Sequence, residues 1–156
     1  MDIDLTVNLG KLVLSNPVIA ASGTFGYGLE YSEFLDLDEL GGFSTKGISI
    51  NPKVGNPVPR VTETASGMLN AIGLENIGLK EFLSVKLPQL KNYKTNIIVN
   101  FFGDTIPQYV ELASALSKED RIDALEMNVS CPNVDKRWIA IQLRPYCFKT
   151  SGKLGS

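Results

Sequence analysis

The sequence predicts an α/β chain in which short buried strands alternate with helices, and three observations carry that expectation. Four runs, residues 17–21, 42–46, 96–100 and 123–129, are strand-length and apolar at their centres, as expected of strands covered on both faces. Stretches with helical signals lie between them, and alternation of this kind builds a parallel sheet. Each run closes on polar or glycine residues: Ser22-Gly23, Lys46-Gly47, Asn100, and Asn128 with Cys131 close behind. Strand ends are where a βα barrel gathers its chemistry and where an open doubly wound sheet binds ligands. The pattern by itself leaves both architectures open.

Taken in order, the opening DLTV-NLG-KLVL reads as a hairpin of two short strands around Asn8-Leu9-Gly10. The strand at 17–21 leads into a glycine-rich loop at 22–28, then a helix over 30–40 with Tyr31, Phe34 and Leu35 on one face. After the strand at 42–46 comes a long excursion, INPKVGNPVPRVTETASGMLNAIGLENIG. Loops of this length are usually functional or disordered, and Met68, Leu69, Ile72 and Leu74 predict that this one is ordered. Residues 79–92 predict a helix interrupted or ended near Pro88. Beyond the strand at 96–100, Asp104 or Thr105 caps a helix whose Ile106, Val110, Ala113 and Leu116 share a face.

Composition narrows the chemistry. The chain has 156 residues, enough for one domain with a real core, with 44% apolar and 21% charged residues and a net charge of −2. Nothing in that balance suggests a nucleic-acid partner. No apolar run approaches the roughly 18 residues of a membrane span, and MDIDLTVNLG lacks a signal-peptide pattern, so a cytoplasmic location is expected. There are two cysteines and no histidine. That removes Ser–His and Cys–His nucleophiles and most zinc sites, and no metal site is expected. Proton transfer falls to Cys, Lys, Tyr, Asp or Glu.

The individual motifs each carry two readings. Residues 23–28, GTFGYG, have the wrong glycine order for a dinucleotide fingerprint; they form either a plain βα turn or a loop whose backbone approaches a flat ligand. Lys46 is either a solvated strand end or an anion clamp, and the other polar strand ends favour the clamp. Asn100 and Asn128 either cap turns or offer amides to a heterocycle. Asn128-Val-Ser130 matches a glycosylation pattern, which a buried strand end in a cytosolic domain excludes. Cys131 is either structural or, with a thiol near its usual range of about 8.5, a base toward a carbon acid.

The stretches NPVIAASGTFGYGLEY, TKG, GNPVPRVTETASGMLNAIGLEN, VNFFG and ALEMNVSCPN together resemble the dihydroorotate dehydrogenases, in particular the catalytic subunit of the NAD-linked bacterial form, type 1B. The resemblance runs from about residue 3 to residue 134. It implies a (β/α)8 TIM barrel of which residues 1–134 supply the first four or so βα units, a half barrel behind an N-terminal hairpin. It implies FMN-dependent oxidation of dihydroorotate to orotate in pyrimidine biosynthesis, with this fragment alone expected to be inactive. Ser22, Lys46, Gly47, Asn100 and Asn128 would then contact FMN. Lys46, Asn70, Ala71, Ile72, Gly73, Leu74 and Asn128 would hold the substrate, with Asn133 a weaker candidate. Cys131 would take a proton from the substrate while hydride passes to the flavin. An electron-transfer subunit carrying FAD and a 2Fe–2S cluster would be the partner; two cysteines in this chain cannot hold that cluster. The competing readings are a catalytically dead half barrel acting through a partner, and a fragment of a related flavin barrel such as dihydropyrimidine dehydrogenase.

After Val134 the resemblance stops. The family continues with a Gly-Gly turn, whereas this chain has Asp135-Lys-Arg-Trp138. One codon assignment for residues 137–145, read one base later, restores a Gly-Gly start. Residues 135–156 are therefore expected to be an aberrant, out-of-frame tail of a truncated chain, in which Trp138 and Cys147 carry no function.

Overall fold

The computed structural model describes residues 3–129. An antiparallel hairpin, β1 (Val7–Leu9) and β2 (Leu12–Leu14), opens the chain, as expected. A parallel sheet follows, built from β3 (Ile19–Ala20), β4 (Gly42–Ser44), β7 (Asn96–Phe101) and β8 (Ala124–Met127) in that spatial order. A second antiparallel hairpin, β5 (Val61–Thr64) and β6 (Gly67–Asn70), stands apart from it. The sheet contains the four expected strands in sequence order, each next to its predecessor, as the first strands of a barrel are.

The strands have two faces because successive side chains alternate. Phe43, Ile97, Val99, Phe101 and Leu125 point into the main core with Leu37, Phe82, Leu90, Leu112 and Leu116. On the opposite face Ile98 and Ala124 pack against Leu12 and Leu14, so the first hairpin seals the start of the sheet. Further along that second face stand Ser44, Asn100 and Glu126, with Asn100 and Glu126 directly paired in register. Apolar residues thus close one end of this face and polar residues occupy the other. Backbone bonds from Thr45 to Ile98 and from Ile48 to Asn100 carry the β4–β7 pairing past the last assigned residue of β4.

Several expected elements differ. The helix over 30–40 is absent: two short 3₁₀ turns, Leu29–Tyr31 and Leu37–Glu39, occupy its place. The carboxylate of Asp36 accepts from the Asp38 N–H and starts the second turn afresh. A single amphipathic face is lost with it: Phe34 is 81% exposed, while Tyr31 stacks on Phe25 with centroids 4.6 Å apart.

The helix at 79–92 is broken as expected. It runs as α1 (Gly78–Glu81), a wide π turn at Phe82–Lys86, and α2 (Leu87–Gln89). Pro88 has no N–H to return to the preceding turn, and a widened turn relieves that clash.

In α3 (Ile106–Leu116) the N-cap is Thr105, whose hydroxyl accepts from the Gln108 N–H. The buried face is Tyr109, Leu112 and Leu116, rotated from the expected one; Ile106 and Val110 are more than half exposed. Tyr109 wins the inward position because its ring meets Phe101 edge-on and its hydroxyl reaches a backbone carbonyl.

The excursion is ordered, but as the β5–β6 hairpin, which periodicity did not suggest. Every residue of both strands is exposed, Met68 and Leu69 included. Its base is tied by reciprocal backbone bonds between Lys53 and Asn76. No helix among the described residues is long and apolar enough to cross a membrane.

Candidate active site at the strand ends

The polar ends of β3, β4, β7 and β8 form one connected group. Ser22, just past β3, donates its hydroxyl to the Thr45 carbonyl at 2.7 Å. Thr45 in turn accepts the Asn100 N–H through its own hydroxyl at 3.2 Å. Lys46 is held by its N–H to the Gly26 carbonyl at 2.7 Å, which fastens the glycine-rich loop to the end of β4.

Gly47 lies directly against Asn100. A Cβ there would sit 3.0 Å from Asn100 Oδ1 and 3.1 Å from the Phe102 ring. No side chain fits between that amide and the backbone. Asn100 is buried, its Nδ2 donates to Glu126 Oε1 at 3.0 Å, and its Oδ1 is a buried acceptor with no partner among the described residues. Such an orphan is uncommon and calls for a reason. The second carboxylate oxygen of Glu126 accepts from the Ser44 hydroxyl.

At the end of β8, the Asn128 N–H bonds the Phe101 carbonyl and its own carbonyl accepts from Tyr109 Oη at 2.6 Å. These bonds to its backbone place Asn128 at the same end of the sheet as Asn100. Cys131 and Asn133 lie outside the described residues.

The excursion joins this group through one charge. Glu75 pairs with Lys46 at 3.7 Å and, more closely, with Arg60. Just before it, Ala71 bonds Arg60 through its N–H, and the carbonyls of Ala71 and Ile72 accept from Asn56. Gly73 and Leu74 both take left-handed φ, 78° and 59°, and the Leu74 carbonyl accepts from Asn76. Residues 71–74 are therefore set at the rim beside Lys46. Asn70 ends β6 on the exposed hairpin, and no hydrogen bond joins its side chain to the strand-end group among the described residues.

The glycine-rich loop has its own support. Glu30 accepts from the Tyr27 N–H and pairs with Lys86 at 3.1 Å. Burial raises the Glu30 carboxyl, but hydrogen bonds from its own and the Tyr27 backbone N–H groups, with the Lys86 ammonium, outweigh it and hold it below its ordinary value. Burial likewise pushes the Tyr27 hydroxyl up. Gly28 has φ 93°, and a Cβ there would meet the Phe43 ring at 2.6 Å, so this turn needs glycine on both counts.

Three residues of the group were not singled out from the sequence: Ser44, Thr45 and Glu126. Glu126 had a signal, as the one charged residue inside the run ALEM at the fourth strand. Ser44 and Thr45 had none beyond adjacency to Lys46.

Comparison with known proteins decides the family. The family model described as dihydroorotate dehydrogenase matches residues 4–146. The chain belongs to the dihydroorotate dehydrogenase family. It is 56% identical over 149 residues to the dihydroorotate dehydrogenase B (NAD(+)) catalytic subunit of Thermodesulfovibrio yellowstonii, covering 96% of this chain and 49% of that protein. It is 51% identical over 144 residues to the subunit of the same name from Pelobacter propionicus, covering 92% and 47%. The crystal structure of a ligand-free DHODH from Eimeria tenella superposes with a TM-score of 0.66 at 23% identity, over 90% of this chain and 42% of that one. That likeness establishes a partial α/β barrel. The chain spans about half the length of the curated relatives it matches.

Proposed function

We propose that residues 1–134 form the first half of an FMN-binding barrel that oxidises dihydroorotate to orotate in pyrimidine biosynthesis. An electron-transfer subunit with FAD and a 2Fe–2S cluster would pass the electrons to NAD⁺. The single observation that carries the reading is the buried, unpartnered Asn100 Oδ1 beside the side-chain-free Gly47. It is an acceptor awaiting an N–H donor at the end of a parallel sheet, where a βα barrel binds its ligands.

The residues present fit a flavin. Ser22, Lys46, Gly47, Asn100 and Asn128 would hold it, through two amides, a cation, a hydroxyl and a glycine backbone. FMN, when bound, supplies the hydride acceptor. Lys46 brings a positive charge to a strand end partly shielded from water, where it favours the substrate carboxylate and added electron density. Its ammonium has three donors, and the pairing with Glu75 at 3.7 Å is loose enough for an arriving anion to displace. Asn70, Ala71, Ile72, Gly73 and Leu74 would orient the substrate from the rim together with Asn128. Cys131 would remove the proton from C5 of dihydroorotate as hydride leaves C6, so that the ring gains a double bond and the thiolate becomes a thiol.

The test is anaerobic mixing of dihydroorotate with a purified, FMN-loaded full-length barrel that carries residues 1–134. Flavin bleaching is expected, slowed by roughly 10²-fold or more in Cys131→Ala with FMN affinity unchanged. A protein that takes up no FMN, or one whose Cys131→Ala variant bleaches at the original rate, would overturn the assignment.

A further inference from the structure

An asparagine amide is ambiguous to a ligand: turned one way it accepts a hydrogen bond, turned the other way it donates. The oxidised flavin ring carries several acceptors and one donor, its imide N–H. An Asn100 free to turn would present its NH₂ to whichever acceptor lay nearest. The sheet removes that freedom. Glu126 stands in direct register with Asn100 on the same face, and an ionised carboxylate accepts hydrogen bonds but gives none. The amide edge toward Glu126 must therefore be Nδ2, at 3.0 Å from Oε1. Oδ1 is forced to the other side, against Gly47.

Ser44 completes the arrangement. It is 3% exposed, it lies on the same face one step back along the strands, and its hydroxyl donates to the other carboxylate oxygen. With both oxygens engaged, the carboxylate has no rotation to spare. No basic side chain forms an ion pair with it among the described residues, so amide and hydroxyl are its anchors.

We infer that Glu126 is a positioning residue that fixes the polarity of Asn100, making this point of the strand-end site accept an N–H donor and reject an acceptor. The inference rests on the flavin reading above and deepens it, since it says which edge of the ring the site selects. Charge is not the essential property. A glutamine at 126 can still accept from Asn100 Nδ2 through its oxygen while its NH₂ donates to Ser44, so Glu126→Gln should preserve selection. A leucine cannot.

The experiment compares binding of FMN and of FMN methylated at the ring imide nitrogen, by flavin fluorescence, to the purified protein and its Glu126→Leu and Glu126→Gln variants. The unsubstituted protein is expected to prefer FMN by roughly tenfold, the value of one hydrogen bond to a buried acceptor. Glu126→Gln should keep that preference, and Glu126→Leu should reduce it to within about twofold. If Glu126→Leu does not fold, Ser44→Ala carries the same test, with a partial loss of preference expected. An unchanged preference in Glu126→Leu, or in Ser44→Ala where that stands in, overturns the inference and leaves the flavin reading intact. Failure of the unsubstituted protein to bind either flavin overturns both.

Discussion

At the scale of single residues, the loop around Glu30 shows how one side chain can set a pH limit. Its carboxylate joins the Tyr27 N–H to Lys86 across the glycine-rich loop and the π turn, and its folded-state pKa is held below the ordinary 4.5. A depressed carboxyl stabilises the fold fully above its unfolded value and loses that contribution as pH falls through the folded value. Melting temperatures of the protein and of Glu30→Gln should therefore differ by a constant amount above about pH 5.5 and converge below about pH 4.5. The side chain is 41% exposed, so solvent screening keeps the difference small. A gap that stays the same at acid pH would show that the ion pair contributes nothing. The placement of Lys46, Asn100 and Asn128 at strand ends was legible at this scale because each closes an apolar run. The polarity of Asn100 was not legible, because it depends on Glu126 in the neighbouring strand, and cross-strand register is not written in local sequence.

Elements were easier to find than to orient. The four parallel strands could be read because continuous apolar runs have few other homes, and Pro88 announced the break in its helix. The face of α3 was misjudged because Ile106, Val110, Ala113 and Leu116 form a valid apolar stripe. Tyr109 and Leu112 form a competing one that offers an aromatic edge and a hydroxyl to the sheet. Two truncations separate these stripes. Leu112→Ala, at a fully buried position, should cost about 2–5 kcal/mol in denaturant unfolding. Val110→Ala, at a position 63% exposed, should stay within about 0.5 kcal/mol. The reverse order would return the helix to the expected face. The helix over 30–40 failed for a different reason: Asp36 and Asp38 bond backbone N–H groups better outside a helix than within one. The second hairpin escaped notice because neither strand has a buried side to create alternation.

At the scale of the whole molecule, the parallel sheet has β3 and β8 at its edges among the described residues, and unpaired edges invite strands from other chains. Polar residues of its second face, Glu126 among them, stand where further strands of a closed barrel would gather. The 156-residue chain by itself should therefore elute from size exclusion larger than a monomer at micromolar concentration; a monomer with a sharp, concentration-independent melt would count against this. The sheet also has an electrical link to the excursion. Lys46 and Arg60 share Glu75, so an anion arriving at Lys46 competes for the same cation that steadies the rim. Occupancy at the strand end is thereby exchanged for slack in the hairpin, and amide protons of residues 61–70 become the natural reporters of whether the mouth is filled.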